Sequence, residues 1–415
     1  MKNIFVFAML LLLGACARRS GERTSQQQDE NFGNEAPLIF QSKVLDNDST
    51  SRVYVTIEWR RIYDEQPVQR FIKEFSLGYI ITPDYTSKEV IASRTLAVTE
   101  QTLQKTGPGS MAFHLDVVKL TLPNAVLTLH ATDTRTGQRV THMVALKPMS
   151  GKFHEKYAVF KSNSEFPGMK TYFYQQDTLQ IKSLNGVRKQ MTVYRYTHNF
   201  DPALSPMATA GKNVTKTLQV DTMFTLPTNA LFVLAAPGLY FFREDTNAVN
   251  GIGMLIVDKR FPRMTRPDDL VKPLIYISTN NEIKELVSTQ APKRTLDTYW
   301  LRLAGNNESK ARRTIRAYYR RVAQANQQFT TYKEGWKTDM GMVHIVFGKP
   351  DQITRTREKE VWTYTQNANF SEINFTFVKR PNQFVDDHYE LMRYVEYEPI
   401  WYPTVEEWRT GIVER

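Results

Sequence analysis

One cysteine in 415 residues is the scarcest feature of the chain. A disulfide framework needs two thiols and a Cys-rich zinc or iron–sulfur centre needs more, so both are excluded. Catalytic signatures are equally thin. Neither Ser-x-x-Lys nor Gly-x-Ser-x-Gly occurs, and Gly335 and Gly341 have no P-loop spacing or following Gly-Lys-Ser/Thr. His154-Glu155-Lys156-Tyr157-Ala158 starts like a zinc-protease motif but has alanine where the second histidine belongs. Asp386-Asp387-His388-Tyr389-Glu390 is the one metal-like cluster, and neighbours on an extended chain point apart. The sequence therefore implies no metal and no cofactor, and enzymatic chemistry is the weaker expectation.

The chain is 41% hydrophobic and 23% charged with a mean hydropathy of −0.44, values of a soluble globular protein. Its length suits two or three domains at ~150 residues each. Lys2 and the apolar run Ile4 to Leu13 are too short to span a bilayer, which takes ~20 residues, and read as a signal peptide over 1–15. The run ends in Leu13-Gly14-Ala15-Cys16, which resembles a bacterial lipobox. Small residues admit the signal peptidase, and the Cys16 thiol accepts lipid. Multiple acyl chains then anchor where one is marginal. Ala17-Arg18-Arg19-Ser20 is basic, whereas surface-exported lipoproteins of Bacteroidetes usually carry acids there. That resemblance implies an outer-membrane anchor facing the periplasm. Residues 16–36 form a polar tether, whose coil would reach roughly 25 Å.

Beyond the tether, 37–150 alternates with period two, as in Val53-Tyr54-Val55-Thr56-Ile57, and implies an immunoglobulin-like β-sandwich. Residues 151–262 imply a second β domain, with Pro237-Gly238 as a hairpin turn. An α+β domain is expected over 263–380, opening with a short strand at Leu274 to Ile277. From Glu308 to Phe329, Ala311, Ile315, Tyr318, Val322, Ala325 and Phe329 make one apolar helical stripe. Arg312, Arg316 and Arg320 lie opposite, and residues 293–321 carry a net +7 of the chain's +11. That face suits solvent, the chain's own acids, anionic lipid or an acidic protein. Nucleic acid is not expected for an exported protein.

Next come Gly335-Trp336-Lys337-Thr338-Asp339, an apolar run to Phe347, and Gly348-Lys349-Pro350-Asp351. Gly335, Trp336, Thr338 and Asp339 fill all four positions that define the GWxTD domain, and 290–380 resembles that family of exported Bacteroidetes proteins. The resemblance implies an envelope role and little about chemistry. Read physically, glycine allows the turn after the long helix, tryptophan anchors it, and Thr338 and Asp339 cap. Val343 to Phe347, Val361 to Tyr364 and Ile373 to Val378 are expected strands, with Gly348 and Pro350 in a turn. The tail 381–415 has a net charge of −5, and Pro399 and Pro403 imply an extended Ile400-Trp401-Tyr402 segment. Trp401, Tyr402 and Trp408 would either anchor an envelope protein partner or pack on the chain's own core, its acids then meeting the arginine stripe. The expected function is a membrane-anchored scaffold or accessory subunit in envelope assembly or export. The alternative is a periplasmic hydrolase of cell-wall or glycan substrates with its site between domains.

Overall fold

The computed structural model describes residues 38–59, 66–208, 217–365 and 372–412. The signal segment, Cys16 and the tether lie outside the described residues. In chain order the first unit contains β1 (Leu38–Asp46), β2 (Thr50–Trp59), α1 (Pro67–Glu74), β3 (Phe75–Thr82), β4 (Ala92–Leu96), β5 (Gln104–Gly107), β6 (Ser110–Val118), β7 (Ala125–Asp133) and β8 (Arg139–Leu146). Along β6, Met111, Phe113, Leu115 and Val117 turn inward while His114, Asp116 and Val118 face out. That alternation makes one sheet face apolar and drives it onto another. The sheets β1-β2-β6-β5 and β4-β3-β7-β8 do so around Val55, Ile57, Leu127 and Leu129. Their strand order is that of an immunoglobulin-like sandwich.

The second unit begins with the one-turn α2 (Phe153–Lys156) and continues through β9 (Tyr157–Lys161), β10 (Tyr172–Tyr174), β11 (Thr178–Ser183), β12 (Gln190–Tyr196), β13 (Thr222–Pro227), β14 (Leu231–Val233), β15 (Gly238–Arg243) and β16 (Ile252–Val257). Its sheets are β14-β11-β9 and β10-β16-β15-β12-β13, with β10 parallel to β16. Pro237-Gly238 is not a hairpin turn, because β14 and β15 lie in different sheets and the segment crosses between them. The crossing is fixed by Tyr240, whose hydroxyl donates to Ala236 O at 3.0 Å, a tyrosine corner of the immunoglobulin kind.

The third unit supplies α3 (Pro267–Val271), α4 (Asn280–Ser288), α5 (Pro292–Leu303), α6 (Glu308–Phe329), α7 (Asp339–Phe347), β17 (Gln352–Arg355), β18 (Lys359–Tyr364), β19 (Ile373–Lys379), β20 (Tyr389–Leu391) and α8 (Glu398–Thr410). Gly305 and Asn306, both left-handed, end α5, and Asn307 caps α6 by accepting from Lys310 N at 2.9 Å. The strands form an antiparallel meander. Three sequence expectations fail in this unit. Leu274 to Ile277 is no strand: a 3-10 helix covers Lys272–Tyr276. Val343 to Phe347 belongs to α7, whose Met342, Val343, Ile345 and Val346 are all buried, so burial on every side erased the helical period. Ile400-Trp401-Tyr402 is helical too. Pro399 sits in the first turn of α8, where no N–H is needed, and Pro403 is carried inside the helix by the burial of Ile400, Trp401 and Trp408. Among the described residues no helix is long and apolar enough to cross a membrane.

Helix α8 is tied to α4 by Arg409, whose two terminal nitrogens donate to Glu282 at 2.8 and 3.0 Å. Thr279 N also donates to Glu282 in a capping box. The Arg409 hydrogen bonds, outweighing the upward push of burial, hold the Glu282 carboxyl down at about 2. A depressed carboxylate contributes stability above its unfolded value near 4.5, and that contribution disappears as pH falls toward 2. Glu282→Gln is therefore expected to flatten the loss of urea stability between pH 4.5 and 2. Parallel wild-type and variant profiles across that window would refute the assignment.

Candidate functional site

The Gly-Trp-x-Thr-Asp segment follows α6 and folds back on it. Gly335 N donates to Thr330 Oγ1 at 2.9 Å and Trp336 N to Asn326 Oδ1 at 3.0 Å. A Cβ on Gly335 would stand 1.9 Å from Ala325 O, which is why glycine is required there. Trp336 is buried, its carbonyl accepts from the Tyr276 hydroxyl at 2.8 Å, and its Nε1 finds no hydrogen-bond partner among the described residues. Thr338 caps α7, accepting from Gly341 N at 3.0 Å and donating to Gly335 O at 2.7 Å. The Asp339 carboxylate accepts from Leu391 N at 2.7 Å and Arg393 at 2.6 Å, joining α7 to β20. Lys337, at the variable position, is buried and reaches Asn199 Oδ1 and Glu334, both at 2.7 Å. The motif is thus a clasp between α6, α7, β20 and the segment after β12. Gly348, at φ +82°, ends α7 and accepts from the Tyr364 hydroxyl at 3.0 Å, with Pro350 buried behind it.

The candidate partner residues divide. Trp408 is fully buried, donates Nε1–H to Val346 O at 2.9 Å and carries Arg321 over its ring at 4.8 Å. Trp401 is buried against Phe347. Neither is a surface anchor. Tyr402 keeps 56% of its surface exposed. Arg312, Arg316 and Arg320 are exposed on α6, and among the described residues no tail acid pairs with them: Asp386 and Asp387 meet Lys379, Glu390 meets Arg380, and Glu406 meets Arg409.

A cleft of about 1170 Å³ opens where all three units meet, bounded by Ile39–Gln41 of β1, residues 169–172 and the C-terminal half of α6. Lys170 Nζ donates to Gln327 O at 3.2 Å and Thr171 Oγ1 to Thr330 O at 2.6 Å across its floor. Burial pushes the Lys170 ammonium below its usual value. Several of the cleft's titratable groups have a local partner. His142 meets Ser42 Oγ at 2.9 Å, His388 meets Glu390 at 3.3 Å, and Asp351 accepts from Thr365 N at 2.7 Å. Glu360 accepts from Trp362 Nε1 at 2.6 Å and pairs with Arg355 at 2.8 Å. His344 is buried, and burial with the nearby Arg321 charge holds its imidazole down at about 3, hence neutral.

The zinc-protease-like and acidic clusters come together elsewhere. His154 of α2 lies 3.6 Å from Asp386, which also pairs with Lys147 and, at 3.5 Å, with Lys152 and Lys379. Burial alone would raise the Asp386 carboxyl, yet the ammonium groups of Lys379 and Lys147 hold it well below the carboxylate range. Burial pushes His154 down to about 4 against the pull of Asp386. Among the described residues no three His, Cys, Asp or Glu side chains assemble as a metal site. The cluster is an ionic junction fastening the first two units to the third. Sequence reading had both strings but not their meeting, since 232 residues separate His154 from Asp386. Phe384 adds an apolar fastening, stacking edge-on with Phe241 at 5.0 Å while its carbonyl accepts from Gly253 N at 2.8 Å.

Known proteins add the following. No curated protein matches the chain. A crystal structure of CBD12 from CALX1.2 is similar over 62% of this chain and 92% of that one, at 13% identity and a TM-score of 0.14. The sandwich assignment rests on the sheets themselves. The GWxTD domain model matches residues 238–410. That span is wider than the motif's surroundings and starts at β15, the strand on which Phe384 docks. The chain carries a GWxTD domain at residues 238–410, built from the last two strands of the second β unit together with the α+β unit.

Proposed function

We propose that this is a lipid-anchored, periplasm-facing outer-membrane lipoprotein acting without catalysis, as a scaffold or accessory subunit in envelope assembly or protein export. One observation carries the scaffold reading: the backbone N–H groups and polar side chains of the Gly335–Asp339 clasp that bond do so within the chain, in a structural role. The ionic junction at Asp386 likewise serves rigidity, which a presenting surface needs and a hinged enzyme does not. The anchor rests on Leu13-Gly14-Ala15-Cys16, where the chain's single cysteine stands at the position lipidation requires. The hydrolase alternative would use the three-unit cleft, whose His142, His388, Asp351 and Glu360 already have local partners.

Cys16→Ser tests the anchor. The variant is expected to leave the membrane fraction, and its retention there would refute lipidation at this residue. Mild crosslinking in intact cells, then purification through the C-terminal domain, should yield a stable envelope protein partner. Hydrolysis of cell-wall fragments by the purified chain, abolished by changes in the cleft, would replace the scaffold with the enzyme.

A further inference from the structure

We propose that the exposed arginine face of α6 is a docking surface for anionic lipid headgroups, laid against the bilayer. Helix α6 contains six cations and one acid, Glu308. Arg312, Arg313, Arg316 and Arg320 are exposed. Glu308 lies 3.5 Å from Arg312, a weak pair with both side chains more than 70% exposed. Arg313, Arg316 and Arg320 form no ion pair among the described residues. Among the described residues this charge has only that weak partner, and Asp386, Glu390 and Glu406 of the tail are engaged with other cations.

The shape of the face selects its occupant. Arg312, Arg316 and Arg320 follow at one-turn intervals over about 12 Å of helix, opposite the buried Tyr318, Val322 and Ala325. Such a row meets a plane of phosphates rather than one small ligand. Its position selects a membrane over an acidic protein. Ile39–Gln41, close to the first described residue, and Arg320 line the same cleft. Only 21 residues lie between Cys16 and Leu38, so a lipidated Cys16 would hold the described fold within their contour length of at most ~3.5 Å per residue from the headgroups. Cationic side chains near an anionic surface bind it additively and salt-sensitively, and such a patch supplements acyl anchoring. The tether's part in this rests on the Cys16 reading; the affinity of the face for anionic lipid does not.

The test uses the full chain bearing Cys16→Ser, with and without Arg312→Gln, Arg316→Gln and Arg320→Gln, floated with vesicles. The readout is binding to phosphatidylcholine vesicles containing phosphatidylglycerol minus binding to phosphatidylcholine alone, which cancels any contribution of the N-terminal apolar run. The expected result is a preference for anionic vesicles that salt removes and the triple change weakens about tenfold or more, with an unchanged melt. Equal binding to both vesicles, or an anionic preference the triple variant retains, would overturn the proposal. So would arginine-dependent capture of an acidic protein without any lipid preference. Anchorage is judged separately by fractionation of Cys16→Ser cells, so either reading can fail alone.

Discussion

Gly335→Ala is expected to cost about 4–5 kcal/mol, enough to leave the C-terminal unit largely unfolded at moderate temperature. The added Cβ would lie 1.9 Å from Ala325 O, 2.6 Å from its carbonyl carbon and 2.8 Å from Asn326 Cα. All three are backbone atoms of α6, which cannot swing aside as a flexible side chain can, so the clasp itself must lift. Overpacking alone costs ~1–3 kcal/mol. Lifting the clasp also opens the bonds to Thr330 Oγ1 and Asn326 Oδ1, and each buried group left unpaired adds ~1–3 kcal/mol. Gly305→Ala is the control. Its φ is +63° and a Cβ there meets nothing within 4 Å, so only the left-handed conformation is penalised, by about 1 kcal/mol. Urea unfolding followed by tryptophan fluorescence separates the two, and near-equal midpoints would disprove the close seat of Gly335 on α6.

What the sequence could show depended on how each element is buried. The first sandwich was legible because strands such as β6 turn one face to water and alternate accordingly, whereas β15 and β16 of the second are buried almost throughout. Helix α6 was legible for the same reason at a different period. Helix α7 was not, since an element buried on all sides has no polar face to betray its period, and the run from Met340 to Phe347 fits strand or helix equally. The Thr338 cap was the available signal, three residues ahead of the Gly341 N–H it binds. Helix α8 was misread through its prolines, because local stiffness was weighed without the tertiary burial that overrides it. Within the site, the clasp's Gly, Trp and Thr could be assigned from chemistry, but Asp339 depends on Arg393 and Leu391, more than fifty residues on. The Asp386 junction was invisible for the same reason: its members come from three units that only folding brings together.

Trp408→Ala is expected to destabilise the GWxTD domain by about 4–6 kcal/mol, although only seven residues of the sequence follow Trp408. The ring is fully buried, edge-on to Tyr318 at 5.3 Å and beneath Arg321 at 4.8 Å. Emptying so large a volume in a core alone costs ~3–5 kcal/mol. The remainder comes from Arg321, a buried guanidinium that donates to Ile345 O at 3.2 Å and Val346 O at 2.9 Å and whose exposed face the indole covers. Without the ring that charge loses its cation–π contact, worth up to ~2 kcal/mol when desolvated. Trp408→Phe should restore most of the packing and lose chiefly the bond from Nε1 to Val346 O, about 1–2 kcal/mol. Tyr402→Ala, on the exposed side of α8, should stay within about 0.5 kcal/mol of wild type. The same three variants separate core from contact surface in the crosslinking experiment. A residue of the core releases a partner only in proportion to unfolding, so Trp408→Phe should retain it. Loss of the partner from a Trp408→Phe chain that still melts cooperatively near the wild-type temperature would mean that the indole acts at an interface, and the interior assignment would fall.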